Sequence, residues 1–124
     1  MANPFIHIEL SSTDVASSKA FYGKLFDWQL QDTTLADGGT YTMIQVGDGT
    51  GGGMLQQKMP GAPSMWLAYV LVEDIKAATA RARELGAHIM LDGLEVVGMG
   101  WLSIFTDPTG AMLGMWQPAS MAKP

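Results

Sequence analysis

Trp101-Leu102-Ser103-Ile104-Phe105-Thr106-Asp107-Pro108-Thr109-Gly110-Ala111-Met112-Leu113-Gly114-Met115-Trp116-Gln117-Pro118 is the stretch whose reading decides the fold. Two apolar runs flank Asp-Pro-Thr-Gly, where Pro108 presets φ for a turn, Asp107 can bond back to the backbone and Gly110 closes it. The stretch therefore reads as a β-hairpin. Strand side chains alternate, so Met112, Gly114 and Trp116 share one face of its far arm and Leu113, Met115 and Gln117 the other. A strand apolar on both faces belongs inside a layered domain, with helices on one side and a partner sheet or an organic ligand on the other.

Working outward, Trp66–Val72 reads as a strand, Glu73-Asp74 places acid at a helix start, and Ile75, Ala78, Ala82 and Leu85 form an apolar stripe that Gly86 closes. Ala87–Leu91 is the next strand, and Val96-Val97 a short one before the hairpin. The N-terminal half has the same plan. Pro4–Leu10 is a strand, Ser11-Ser12-Thr13-Asp14 supplies N-cap candidates, and Val15, Tyr22 and Phe26 recur at helical spacing. Strands at Trp28–Gln31, Tyr41–Val46 and Met54–Gln57 follow. Asp14 and Asp74 stand 60 positions apart, each just after a strand and just before a helix, so the chain is an internal duplication. The glycine run at 47–53 is not followed by Gly-Lys-Ser/Thr or by a helix, and marks close backbone approach rather than a phosphate loop.

At 124 residues the chain has room for one compact domain of two small modules, about 4–58 and 65–118. With no cysteine, it offers neither disulfides nor thiolate chemistry, which accords with a cytoplasmic location. No apolar window of about 18 residues is present to span a bilayer. A net charge of −5 with scattered Lys and Arg argues against a nucleic-acid partner. Ten methionines and four tryptophans furnish a core and, secondarily, an adaptable apolar pocket wall.

His7-Ile8-Glu9-Leu10, Asp14, Phe21-Tyr22 with Leu25-Phe26, Glu73-Asp74-Ile75, and Asp107-Pro108-Thr109-Gly110 with Trp116-Gln117 together resemble the vicinal oxygen chelate superfamily across essentially the whole chain. That group includes glyoxalase I, extradiol dioxygenases, fosfomycin-resistance enzymes and bleomycin-binding proteins. The resemblance implies an α+β fold in which tandem βαβββ modules form a curved mixed sheet around a central cavity. It also implies four positions where the family's enzymes hold a divalent metal. His7 matches the first. Leu67 matches its counterpart in the second module, Gly114 stands where the metal enzymes carry glutamate, and the remaining position falls around Met54 or Leu55, with Gln56 the nearest oxygen donor. A catalytic metal needs several N or O donors, so no metal and no other cofactor is expected.

Alternation then proposes the site. His7 and Glu9 share a face, where imidazole and carboxylate are candidates to hold a ligand or move a proton. Gln56, Leu67, Tyr69, Met99, Trp101, Met112, Gly114 and Trp116 are the candidate ligand-binding residues, an aromatic and apolar set with few polar anchors. The leading expectation is metal-independent binding of a small hydrophobic or aromatic molecule in the inter-module cavity, by a homodimer that protects its sheet edges by pairing. Two alternatives stand beside it. One is a lyase or dioxygenase-type enzyme using His7 with a divalent metal or as acid or base; the other is a protein-interaction module with a vestigial pocket.

Overall fold

The computed structural model describes residues 2–121 and has an α+β fold. The order is β1 (Phe5–Ser12), α1 (Val15–Leu25), β2 (Gln29–Thr34), β3 (Thr40–Gln45), β4 (Gly52–Gln56), β5 (Met65–Leu71), α2 (Ile75–Glu84), β6 (His88–Val96), β7 (Gly100–Thr106) and β8 (Met112–Pro118). Strand, helix and three strands thus occur twice. The chain divides into two compact units, one of residues 6–67 and one of residue 68 onward with the N-terminal segment through Phe5. That segment joins the second unit because the Leu71 N–H donates to the Pro4 carbonyl at 2.9 Å.

In module 1 the strands lie in the order β2-β3-β4-β1, with β4 and β1 parallel and the other pairs antiparallel. Module 2 repeats this as β6-β7-β8-β5, with β8 and β5 parallel. Both helices start on the residues expected. Asp14 accepts from the Ser17 N–H and Asp74 from the Ala77 N–H, each at 3.1 Å, which satisfies one of the donors a helix start leaves unpaired. Gly86 follows α2 with φ +102°, a left-handed conformation that costs glycine little.

Each helix covers one face of its strands. Leu10, Ile44 and Met54 form the buried cluster of module 1, with Val15, Tyr22, Trp28, Leu30 and Val46 packed against it. Val72, Ile75 and Met115 do so in module 2, joined by Ala78, Trp101 and Phe105. Buried hydroxyls are paired, as polar groups removed from water must be. Thr79 Oγ1 lies 2.6 Å from the Ile75 carbonyl and 2.7 Å from Ser103 Oγ, and Ser103 Oγ also accepts from the Gly93 N–H at 2.9 Å.

Two details differ from the sequence reading. The expected pair of strands at 87–91 and 96–97 is one strand, His88–Val96, because irregularities at Ile89/Leu91 and Leu91/Leu94 absorb the extra residues without ending the pairing to β7. The glycine run also enters the sheet. Gly52 and Gly53 are the first residues of β4, and a Cβ on Gly52 would overlap the Ile8 backbone.

Candidate functional site

The pairing register sorts the candidate residues by face. Paired residues on neighbouring strands point the same way, so Leu10, Met54 and Thr42 face α1, while Glu9, Gly53 and Met43 form the row beside them on the other face. His7 and Tyr41 belong to that second face. Tyr41 hydroxyl lies 2.6 Å from His7 Nε2 and donates to Glu9 Oε1 at 3.0 Å. All three residues are half-buried. The imidazole and phenol rings are nearly parallel, 20° apart. Burial holds the His7 pKa below the ordinary imidazole value, because removal from water disfavours the charged ring.

Tyr41 reaches β1 by crossing β4, which lies between β3 and β1. Neighbouring strands are about 4.8 Å apart, so a phenol can span the gap only over a position with no side chain. Gly53 is that position: a Cβ there would overlap the Tyr41 ring. The same device recurs in module 2, where a Cβ on Gly114 would overlap the ring of Tyr69, its pairing partner on β5.

This register settles the fourth family position. Glu9 pairs with Gly53 as Tyr69 pairs with Gly114, so the counterpart of Gly114 is Gly53, not Met54 or Leu55. Met54 is fully buried on the helix face. The metal positions implied by the resemblance therefore carry His7, Gly53, Leu67 and Gly114, and only the first offers a lone pair. That donor set does not fit a resident ion. Among the described residues, no group of three or more His, Cys, Asp or Glu side chains is placed to hold one.

Other sequence candidates divide between the faces. On β8, Met112, Gly114 and Trp116 lie opposite Met115, which packs under α2. Leu67 and Tyr69 are buried on the corresponding face of β5. Met99 lies in the turn between β6 and β7 and is 52% exposed. Two placements correct the sequence reading. Gln56 points to the α1 side, where its amide donates to the Thr13 carbonyl at 3.0 Å, because Gln56 shares the parity of Met54. Trp101 shares the parity of Ser103 and packs against the helix-side cluster of module 2, lining a cleft of about 570 Å³ with Glu73, Asp92 and Gln117. A cleft of about 610 Å³ in module 1 is lined by Asp27, Gln29, Gln45 and Gly51 and does not include His7.

Tyr41 and Gly53 were not singled out from sequence. The duplication carried a signal for Gly53, since Gly114 and Gly53 are 61 positions apart against 60 for the two N-caps, a one-residue insertion in the second module. Nothing in the local pattern marked Tyr41, whose partners lie 32 and 34 positions away.

Comparisons agree with this architecture. Residues 5–115 match the model of the Glyoxalase/Bleomycin resistance protein/Dioxygenase superfamily. "Putative glyoxylase CFP32" of Mycobacterium tuberculosis is 32% identical over 115 residues, covering 89% of this chain and 44% of that protein. Anthracycline biosynthesis protein DnrV of Streptomyces peucetius is 26% identical over 127 residues, covering 91% of this chain and 46% of its own. The chain thus spans less than half the length of these curated relatives. Similar folds occur in the hypothetical protein BH1468 of Bacillus halodurans (TM-score 0.74, 15% identity) and a methylmalonyl-CoA epimerase variant of Streptomyces coelicolor in complex with 2-nitronate-propionyl-CoA (TM-score 0.72, 14% identity), each with full coverage of both chains. The duplicated modules, their register and the match over residues 5–115 make this chain a member of the Glyoxalase/Bleomycin resistance protein/Dioxygenase superfamily.

Proposed function

We propose that this chain binds a small, flat hydrophobic or aromatic molecule and does so without a metal ion. The observation that carries the reading is the pair of tyrosine rings lying over Gly53 and Gly114. Where the metal enzymes of the family project a ligating side chain, each module has a phenol ring. Of the two, the half-buried Tyr41 ring gives a ligand a stacking surface, whereas Tyr69 is enclosed. The 26% likeness to a protein named for anthracycline biosynthesis, anthracyclines being planar aromatic compounds, supports the same class of ligand. We also propose that it works as a homodimer that protects its sheet edges by pairing, to be checked by light scattering.

A thermal-shift screen of aromatic metabolites and antibiotics, run with and without a chelator, tests the binding reading. Stabilisation by aromatic compounds that survives chelation is the expected result, since a ligand that binds only the folded state raises the melting temperature. Stabilisation only by sugars or nucleotides, or binding that a divalent ion restores after chelation, overturns it.

The hydrogen bonds joining His7, Tyr41 and Glu9 favour a second reading, an enzyme in which His7 acts as acid or base. Any turnover found in the screen should then fall sharply in His7→Ala; undiminished activity removes this reading.

A further inference from the structure

Beneath the covering helices the two modules are packed alike, but the corner beside each helix start is filled differently. In module 1 Asp32 stands opposite Thr42 and accepts from its hydroxyl at 2.8 Å, and Lys19, on the second turn of α1, reaches the same carboxylate at 2.9 Å. In module 2 a bulge sets two residues, Asp92 and Gly93, opposite Ser103. Gly93 donates its N–H to Ser103 Oγ at 2.9 Å, while Asp92 pairs with Arg83 at 3.0 Å. Counted from the two caps, Thr79 is the counterpart of Lys19, and Arg83 lies one turn further along its helix. A threonine bonded to Ser103 and a glycine therefore stand where module 1 has a lysine stem and a carboxylate. What this leaves is the cleft of about 570 Å³, a size that suits a small molecule.

Two residues that line the cleft have no like in module 1. Glu73 corresponds to Thr13, and Trp101 to Thr40. A carboxylate and an indole face are groups that attract an organic cation. Glu73 has no hydrogen bond or ion pair among the described residues. Gln117 is fixed by accepting from the Ile75 N–H at 2.8 Å, and Trp101 by packing against Val72, Ile75 and Met115, so the walls are ordered before a ligand arrives.

We infer that this cleft is a second binding site, for a small organic cation: a protonated amine or guanidinium on an apolar stem, stacked on Trp101 and paired with Glu73. The bound cation takes the place in module 2 that the Lys19 side chain holds in module 1. The site is independent of the face that carries the tyrosine rings, because Trp101 and Gln117 share the parity of Ser103 and Met115 on the helix side.

A nuclear magnetic resonance titration of the full chain, followed at the Trp101 indole N–H, tests this with protonated 2-phenylethylamine and with 2-phenylethanol, a neutral analogue of similar shape. The amine should shift that resonance and bind about tenfold tighter, the combined effect of one cation–π contact and one exposed ion pair. In Glu73→Gln the preference should fall to about threefold, what the cation–π contact alone supplies. In Asp48→Asn, which removes the same charge from an exposed loop of module 1, the preference should be unchanged. Equal binding of the two compounds, an unmoved Trp101 resonance, or a preference that Glu73→Gln leaves intact overturns the inference. So does a preference that falls equally in both variants, which would mark a diffuse attraction to the net charge of −5.

Discussion

Module 1 places His7, Glu9 and Tyr41 at the register positions where module 2 has Leu67, Tyr69 and Leu102. On the opposite face the correspondence is close. Leu10 and Val70 match, as do Met54 and Met115, and the fully buried Thr42 and Ser103. Gln56 and Gln117 match as well: one donates to the Thr13 carbonyl before α1, the other accepts from the Ile75 N–H at the start of α2. The helix-bearing face has little freedom, because volume and hydrogen bonding there must suit the covering helix. The other face kept its glycines but changed its chemistry, polar in module 1 and apolar in module 2. Divergence concentrated on one face of a duplicated scaffold is what the proposed binding of a ligand on that face would produce.

The equivalence of the helix faces predicts the largest effects. Met54→Ala should cost about 4 kcal/mol and Met115→Ala about 3, because both leave cavities under a helix and Met54 is the more completely enclosed. Urea unfolding measures both; a loss below 1 kcal/mol at either would break the parallel. The glycine substitutions sharpen the contrast between the open faces. Gly114→Ala should cost about 3 kcal/mol, since Tyr69 is 3% exposed and has little space to yield, whereas Gly53→Ala should cost about 1, because Tyr41 is half-buried. In Gly53→Ala the displaced ring should also release His7, visible as a change in its nitrogen shifts. Equal costs would place the two tyrosines on the same footing.

The N-caps should behave alike. Asp14→Ala and Asp74→Ala each lose one side-chain bond to a helix N–H, and each should cost about 1 kcal/mol.

The smallest effect is a pH dependence that arises at His7 of module 1. Burial lowers the folded-state pKa of His7 beneath 6.5, so the unfolded chain binds more protons in that window. Stability should therefore decline as pH falls from about 6.5 toward the folded-state value. His7→Gln should remove that decline. A separate loss would remain at lower pH, below the ordinary carboxylate value of 3.8. There Asp32, held down first by its bond to Lys19, and Asp107, held down first by the Thr109 hydroxyl, become protonated. An unchanged profile just below pH 6.5 in His7→Gln would show that the imidazole is not removed from water as the geometry requires.

Much of the architecture was legible in the chain. Alternation across Met112–Gln117, the two aspartate caps 60 positions apart, and the Asp107–Gly110 turn are local or periodic signals, which is why duplication, element order and the faces of β8 could be read without coordinates. The candidate site was legible in part. His7 and Glu9 followed from alternation, while Gln56 and Trp101, expected among the ligand-binding residues, lie on the helix side. Their faces depend on how β4 and β7 register against neighbours, and a one-residue slip moves a side chain through the sheet.

By itself, then, the sequence determined what each strand and helix could be, and that the plan is repeated, because backbone preference and hydrophobic period act over a few residues. Only the tertiary structure decided that Tyr41 crosses Gly53 to meet His7 and Glu9. That meeting requires three strands to pair in one register, and its members are tens of residues apart along the chain, beyond the reach of any local pattern.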